Sequence, residues 1–199
     1  MVRTEIEFES VAKDPASDIC IAAELYLPDD GEPVLSVLPS LDISEITADE
    51  NGFSRAAKLS APILERFGFD TESEIYDFAE FESSNAALQY SGTVNVVDGA
   101  EPYAEATVGG VPVSFASVND LPEEDGKVEI YVQTEEEYRS QGYGTRCVSA
   151  LRDLIVNKGK TAKYVTETDN APSLRVAEKA GFIKTGRRLT AGFYRKGGE

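Results

Sequence analysis

Apolar and polar residues alternate through "TEIEFESV" (4–11) and "DICIAAELYLP" (18–28), a period of two that predicts strands, with a turn at "DDGEP" between Asp29 and Pro33. In "NGFSRAAKLSAPILERFGF" (51–69) the apolar spacing becomes helical, with Ser54 as N-cap, Gly68 as stop and Pro62 kinking or dividing the run. "TESEIYDFAEF" (71–81) opens with Thr71 three residues before Glu74, a capping-box arrangement that predicts a second short helix.

The second half is more regular. "AEATVGGVPVSFASV" predicts a hairpin turning on Gly109 and Gly110, with Val111, Val113 and Phe115 alternating along its second arm. "GKVEIYVQT" continues as a strand, and "GYGTRCVSALRDLIVNKG" as a helix with Val148, Leu151, Leu154 and Ile155 on one face, ending near Gly159. A strand at "AKYVTET", a short helix at "APSLRVAEKAGF" stopped by Gly181, and a hairpin-like pair in "FIKTGRRLTAGFYR" complete the chain. The expected class is α+β: a mixed sheet covered by helices.

Composition narrows the chemistry. The 199 residues suit one domain with a sizeable elaboration, divided by sequence character into an acidic part, 1–95, and a second part, 96–199. No window approaches the roughly 18 consecutive apolar residues of a membrane span, and the first residues lack an apolar signal core. A soluble, cytoplasmic protein with no membrane partner is therefore expected. Histidine is absent, which removes imidazole acid–base chemistry, Ser-His-Asp hydrolysis and His-ligated metals. The two cysteines, Cys20 and Cys147, have no metal-ligand spacing, so no metal is expected.

The formal charge is −17, unevenly spread. Residues 1–100 hold 21 acidic and 5 basic side chains, whereas 139–199 hold 5 acidic and 13 basic. A polyanion is accordingly expected near the C-terminal third. The acidic part reads either as a solvated surface, as in adaptation to high salt, or as a rim attracting a cationic amine. Nucleic acid is disfavoured, since its binding normally needs a basic face.

The stretch "YRSQGYGTR" (138–146) follows a predicted strand and opens a predicted helix. Gly142 and Gly144 let the backbone approach an anion, and the free N–H groups of the helix start converge on one point. It is neither a Walker motif nor GxGxxG. It does resemble the Arg/Gln-x-x-Gly-x-Gly/Ala signature of the GNAT superfamily of N-acetyltransferases, with Arg139, Gly142 and Gly144 in the marked places. "DNAPSLRVAEKAGF" is similar to that superfamily's Asn-x-x-Ser/Ala helix ending in Gly-Phe, through Asn170, Ser173, Gly181 and Phe182. The resemblance covers residues 104–195; "VEIYVQTEEEYRSQGYGT" looks most like the branch containing zwittermicin-type self-resistance enzymes.

The resemblance implies a GNAT fold, a mixed and mostly antiparallel sheet flanked by helices, whose central strands splay to admit acetyl-CoA. Val132 and Thr134 would pair with the pantetheine arm as an added strand does. The N–H groups of Gln141, Gly142, Tyr143, Gly144 and Thr145 would take the pyrophosphate, with charge from Arg139 and, alternatively to a purely surface role, Arg146. Asn170 and Ser173 would reach the pantetheine while also capping their own helix.

Acetyl transfer to an amine needs a base, a polarised carbonyl and a proton for the departing thiolate. Glu129 is the first candidate base, 13 residues before Gly142 and on one strand face with Tyr131 and Gln133; Glu167 is the second. Many relatives carry a tyrosine four residues before the Gly of Gly-Phe, where Ala177 stands here, so Tyr131, Tyr143 or Tyr194 is the substitute acid, or the thiolate leaves unprotonated. Backbone N–H near Val132 would hold the oxyanion. Cys147 reads as a packed residue.

The expected function is acetyl transfer from acetyl-CoA to a primary amine, a small cationic molecule, by a monomer or homodimer. Acetylation of a protein N-terminus or lysine, and a silent acyl-CoA-binding sensor, are the alternatives.

Overall fold

The computed structural model describes residues 1–6, 17–84, 94–119 and 126–197. Of the expected strand "TEIEFESV", residues 7–11 lie outside these; the first strand, β1, is Val2–Arg3. The other strands are β2 (Ile19–Pro28), β3 (Val34–Val37), β4 (Glu74–Ser83), β5 (Asn95–Val97), β6 (Tyr103–Val108), β7 (Val111–Val118), β8 (Lys127–Thr134), β9 (Thr161–Glu167) and β10 (Phe182–Tyr194). The helices are α1 (Glu50–Glu65), α2 (Tyr143–Asn157) and α3 (Ala171–Lys179). The chain packs as two compact units, residues 1–78 with 186–199, and residues 79–185. These packing boundaries differ from the compositional boundary at 95/96.

In the first unit β1 pairs in parallel with β3, β3 antiparallel with β2, and β2 antiparallel with the Gly186–Tyr194 part of β10. Alternation along β2 changes phase at a register shift against β10, so Cys20 and Ala22 enter one core with Phe69 and Phe193, and Ala23 and Leu25 another, where Phe53, Ala56 and Ala57 of α1 join Leu35 and Val37. Asp49, not Ser54, caps α1: its Oδ1 accepts from Gly52 N–H at 2.8 Å. Ser54 lies inside the helix and donates to the Glu50 carbonyl. Pro62 does not divide α1, because it falls in the last turn and the helix ends at Glu65.

The second unit holds the regular half of the sequence, with strand order β9-β8-β7-β6-β5 and the later residues of β4 beyond β9. Its hairpin turns on Gly109 and Gly110, whose φ values of 58° and 82° suit a two-residue turn. Helix α2 packs on β6, β7 and β8. Its Cys147, Val148, Leu151 and Ile155 enter a core with Ala104, Ala116, Val128, Ile130 and Ala162.

Two element expectations are corrected. "TESEIYDFAEF" forms a strand, β4, instead of a helix. Ala79 and Phe81 enter the core, while Glu80 and Glu82, one residue out of phase, pair with Lys163 at 3.3 Å and Lys127 at 2.8 Å. A capping box supplies only about 1 kcal/mol, which the aromatic and β-branched content and strand burial outweigh. "FIKTGRRLTAGFYR" is one strand, β10, not a hairpin. Gly186 serves close approach, not turning: a Cβ there would lie 2.8 Å from the Leu27 carbonyl and 2.9 Å from the Tyr26 ring.

Candidate functional site

Strands β8 and β9 run parallel but pair only from Lys127↔Thr161 to Glu129↔Lys163. Beyond that rung β8 continues to Thr134 and β9 to Glu167, so the two open as a fork. On its other side β8 stays paired with β7 along its length, through Val118↔Ile130 to Ser114↔Thr134. The bonds Asn119 N–H to Glu129 C=O, 2.8 Å, and Glu135 N–H to Val113 C=O, 3.0 Å, fix the phase of this ladder. Glu129, Tyr131 and Gln133 therefore spend their backbone groups on β7, and Val132 and Thr134 aim theirs into the fork. The Thr134 carbonyl accepts from Arg139 Nε at 3.1 Å.

At the mouth of the fork the chain turns through a short 3-10 segment, Glu136–Tyr138, and enters α2. Gly142 is the N-cap, with φ 82° and no capping side chain. Arg146 N–H gives the first helical bond, to the Gly142 carbonyl, which leaves the N–H groups of Tyr143, Gly144 and Thr145 without helical acceptors. Gly144 lies against β8: a Cβ there would sit 3.0 Å from Thr134 Oγ1 and 3.6 Å from Val132 Cγ2. Thr134 Oγ1 is in turn held by Ser114 Oγ at 2.8 Å. A hydroxyl pair and a missing Cβ thus bring the helix N-terminus to the end of the open strand.

The loop's other expected ligands are partly committed. Gln141 Nε2 donates to the Glu137 carbonyl. Arg146 donates to the Gln141 carbonyl at 3.3 Å and stacks over the Tyr143 ring at 4.6 Å, and Tyr138 meets that ring edge-on. Tyr143 is therefore a packed rim residue.

On the far arm, Asn170 caps α3 by accepting from Ser173 N–H at 3.2 Å. Ser173 Oγ shares a 2.8 Å hydrogen bond with the Tyr164 hydroxyl. Tyr164 is buried, its ring tilted against Phe182, and burial raises its pKa, the Ser173 bond opposing. This hydroxyl pair had no sequence signal beyond an aromatic residue in a strand. Ala177, in the place the resemblance gives to a tyrosine, is fully buried in the same core.

Glu129 is half-buried on the face opposite α2 and accepts from Asn119 Nδ2 at 3.3 Å. Tyr131 shares its face, 53% exposed, with its hydroxyl 3.4 Å from Gln133 Oε1. Glu167 ends β9, exposed. Tyr194 lies in the first unit, bonded to the Tyr76 hydroxyl. Cys147 is buried and donates to the Ser114 carbonyl at 3.6 Å, and burial raises its pKa, which disfavours the thiolate form.

A family model described as FR47-like protein matches residues 123–190, a span holding β8, the loop, α2, β9 and α3. Among solved structures, a GNAT-family protein from Novosphingobium aromaticivorans DSM 12444 superposes with a TM-score of 0.56 at 12% identity, over 65% of this chain and 68% of that one. The chain shares the α+β fold of this GNAT-family structure. A GCN5-related N-acetyltransferase-like protein from Streptococcus suis 89/1591 matches over 92% of this chain and 86% of its own, at 16% identity and a TM-score of 0.52. A GCN5-related N-acetyltransferase from Sphaerobacter thermophilus matches at 13% identity and a TM-score of 0.50, over 77% and 60% of the two chains. No curated protein matches the sequence. In GNAT terms the fork is the splay expected between the central strands, and both motifs sit on its arms. Among the described residues no helix is long and apolar enough to cross a membrane.

Proposed function

We propose that this GNAT protein is an N-acetyltransferase that moves an acetyl group from acetyl-CoA to a primary amine by direct attack. The observation that carries the reading is the fork: backbone groups of Val132 and Thr134 aim into it, and the unbonded N–H groups of α2 stand at its mouth. Such an edge accepts an extended amide-bearing arm by strand addition, and such a helix start accepts a pyrophosphate. Gly142 and Gly144 leave the cradle that a Cβ would strain or fill. Acetyl-CoA, when bound, supplies an activated carbonyl and a thiolate leaving group. The Val132 N–H would polarise the carbonyl, Glu129 would take a proton from the acceptor's ammonium, directly or through water, so that the free amine attacks, and Asn170 would offer its amide to the pantetheine.

Tyr131, one of the candidate acids beside Tyr143 and Tyr194, stands on the face opposite α2, which is the side this reading gives to the acceptor. A second reading, a silent acyl-CoA sensor, is favoured by the buried Ala177 in the usual tyrosine position. The two separate in a CoA-release assay across an amine panel. Turnover that falls about 10²–10⁴-fold in Glu129→Gln, with acetyl-CoA affinity retained, supports the enzyme; binding without turnover of any amine supports the sensor.

A further inference from the structure

The fork accounts for the donor, and the face opposite α2, which carries Glu129 and Tyr131, is where an acceptor would have to sit. Register places Tyr103, Ser117 and Tyr131 side by side on β6, β7 and β8, all on that face. Two aromatic side chains thus flank a serine, with their backbones two strand spacings, about 9.5 Å, apart. A ring laid over Ser117 would lie about 4.7 Å from the strand that carries each tyrosine, a spacing that leaves room for aromatic contact on either side. One end of this slot is Phe115, whose ring is 5.4 Å from that of Tyr103. The other end, two residues along and about 6.7 Å away, is the Asn119–Glu129 pair, at the last rung before the fork. Tyr131 and Phe115 remain 53% and 36% exposed, so the rest of the described chain leaves this face open.

We infer that this slot seats the acceptor, and that the acceptor is a primary amine joined through one or two carbons to an aromatic ring. The inference rests on the acetyltransferase reading and deepens it. The ring lies between Tyr103 and Tyr131 over Ser117, and the ammonium reaches the Glu129 carboxylate, which both pairs with it and takes its proton at the fork. Charge and shape agree: a carboxylate meets the cationic end, and aromatic walls meet the flat apolar body. A linear polyamine fills no part of the aromatic slot. A peptide needs backbone partners, and on this face β8 has already given those of Glu129 and Tyr131 to β7.

The test is calorimetric titration of the full chain with 2-phenylethylamine and with spermidine, repeated on Tyr131→Ala, which removes an exposed wall, and on Ser117→Leu, which fills the floor. The expected result is saturable binding of 2-phenylethylamine, at least about tenfold tighter than spermidine. Each variant should lose about tenfold in amine affinity while binding acetyl-CoA as the native chain does. Spermidine binding as tightly, no binding of 2-phenylethylamine, or native affinity in both variants overturns the assignment. Failure of the acetyltransferase reading would show separately, as absent acetyl-CoA binding while Tyr131-dependent amine binding persists.

Discussion

Gly142 and Gly144 stand two residues apart and are glycine for different reasons. At Gly142 a Cβ would meet nothing within 4 Å, but φ is 82°, so Gly142→Ala should cost about 1 kcal/mol of stability through backbone strain alone, read by denaturant titration. At Gly144 the backbone is ordinary and the space is not, since Thr134 Oγ1 stands 3.0 Å from a built Cβ. The two cysteines make a second residue-scale case. Burial pushes the Cys20 thiol up to about 11, against the lowering charge of Arg195, and also raises Cys147. Thiolate is the reactive form; iodoacetamide at neutral pH should therefore leave both unmodified in the native protein and label both in denaturant. Rapid native labelling of Cys147 would contradict its packed role.

At the scale of elements, the hairpin, β8, α2, β9 and α3 were legible because period, glycine placement and local capping agreed along each segment. Where signals conflicted, the local one lost. Thr71 and Glu74 spell a helix start, yet Ala79 and Phe81 are drawn into the core of a strand; "FIKTGRRLTAGFYR" reads as a hairpin-like pair, yet it is one strand in which the missing Cβ of Gly186 lets β10 approach β2 closely. The loop that opens α2 was readable from its glycines, whereas the Tyr103–Ser117–Tyr131 row depends on the register of three strands. Period-two alternation names a face but not the neighbours across it. Asp49 and Ser54 are both of residue types that cap helices, and pattern alone does not say which does; Asp49 holds the Gly52 N–H. Its carboxyl is held below the usual value, 3.8, chiefly by the Gly52 N–H bond, then by Thr47. A depressed folded-state pKa means stability present above about 3.8 and lost as pH falls through the lower folded value. Asp49→Asn keeps the cap and removes the titration, so its thermal midpoint should fall less than the native one between pH 5 and pH 3.

For the whole molecule, the charge division of the sequence has a structural counterpart only in part. The basic C-terminal residues include Arg139 and Arg146 at the loop, but Arg187 is clamped by Asp77 at 2.7 Å and Glu50 at 2.8 Å, and Arg152 is buried beside Asp153. Net charge therefore singles out a third of the chain and names no ligand in it. The proposed donor site rests instead on the fork and its helix start, a geometry that a count of charges does not contain. The central claim is that this fork holds the donor. Calorimetric titration of acetyl-CoA and CoA into the native chain and into Gly142→Glu, with folding of the variant checked by circular dichroism, tests it most directly. Saturable one-site binding by the native chain, lost in the folded variant, is the predicted result; no binding by the native chain, or equal binding by both, would contradict it.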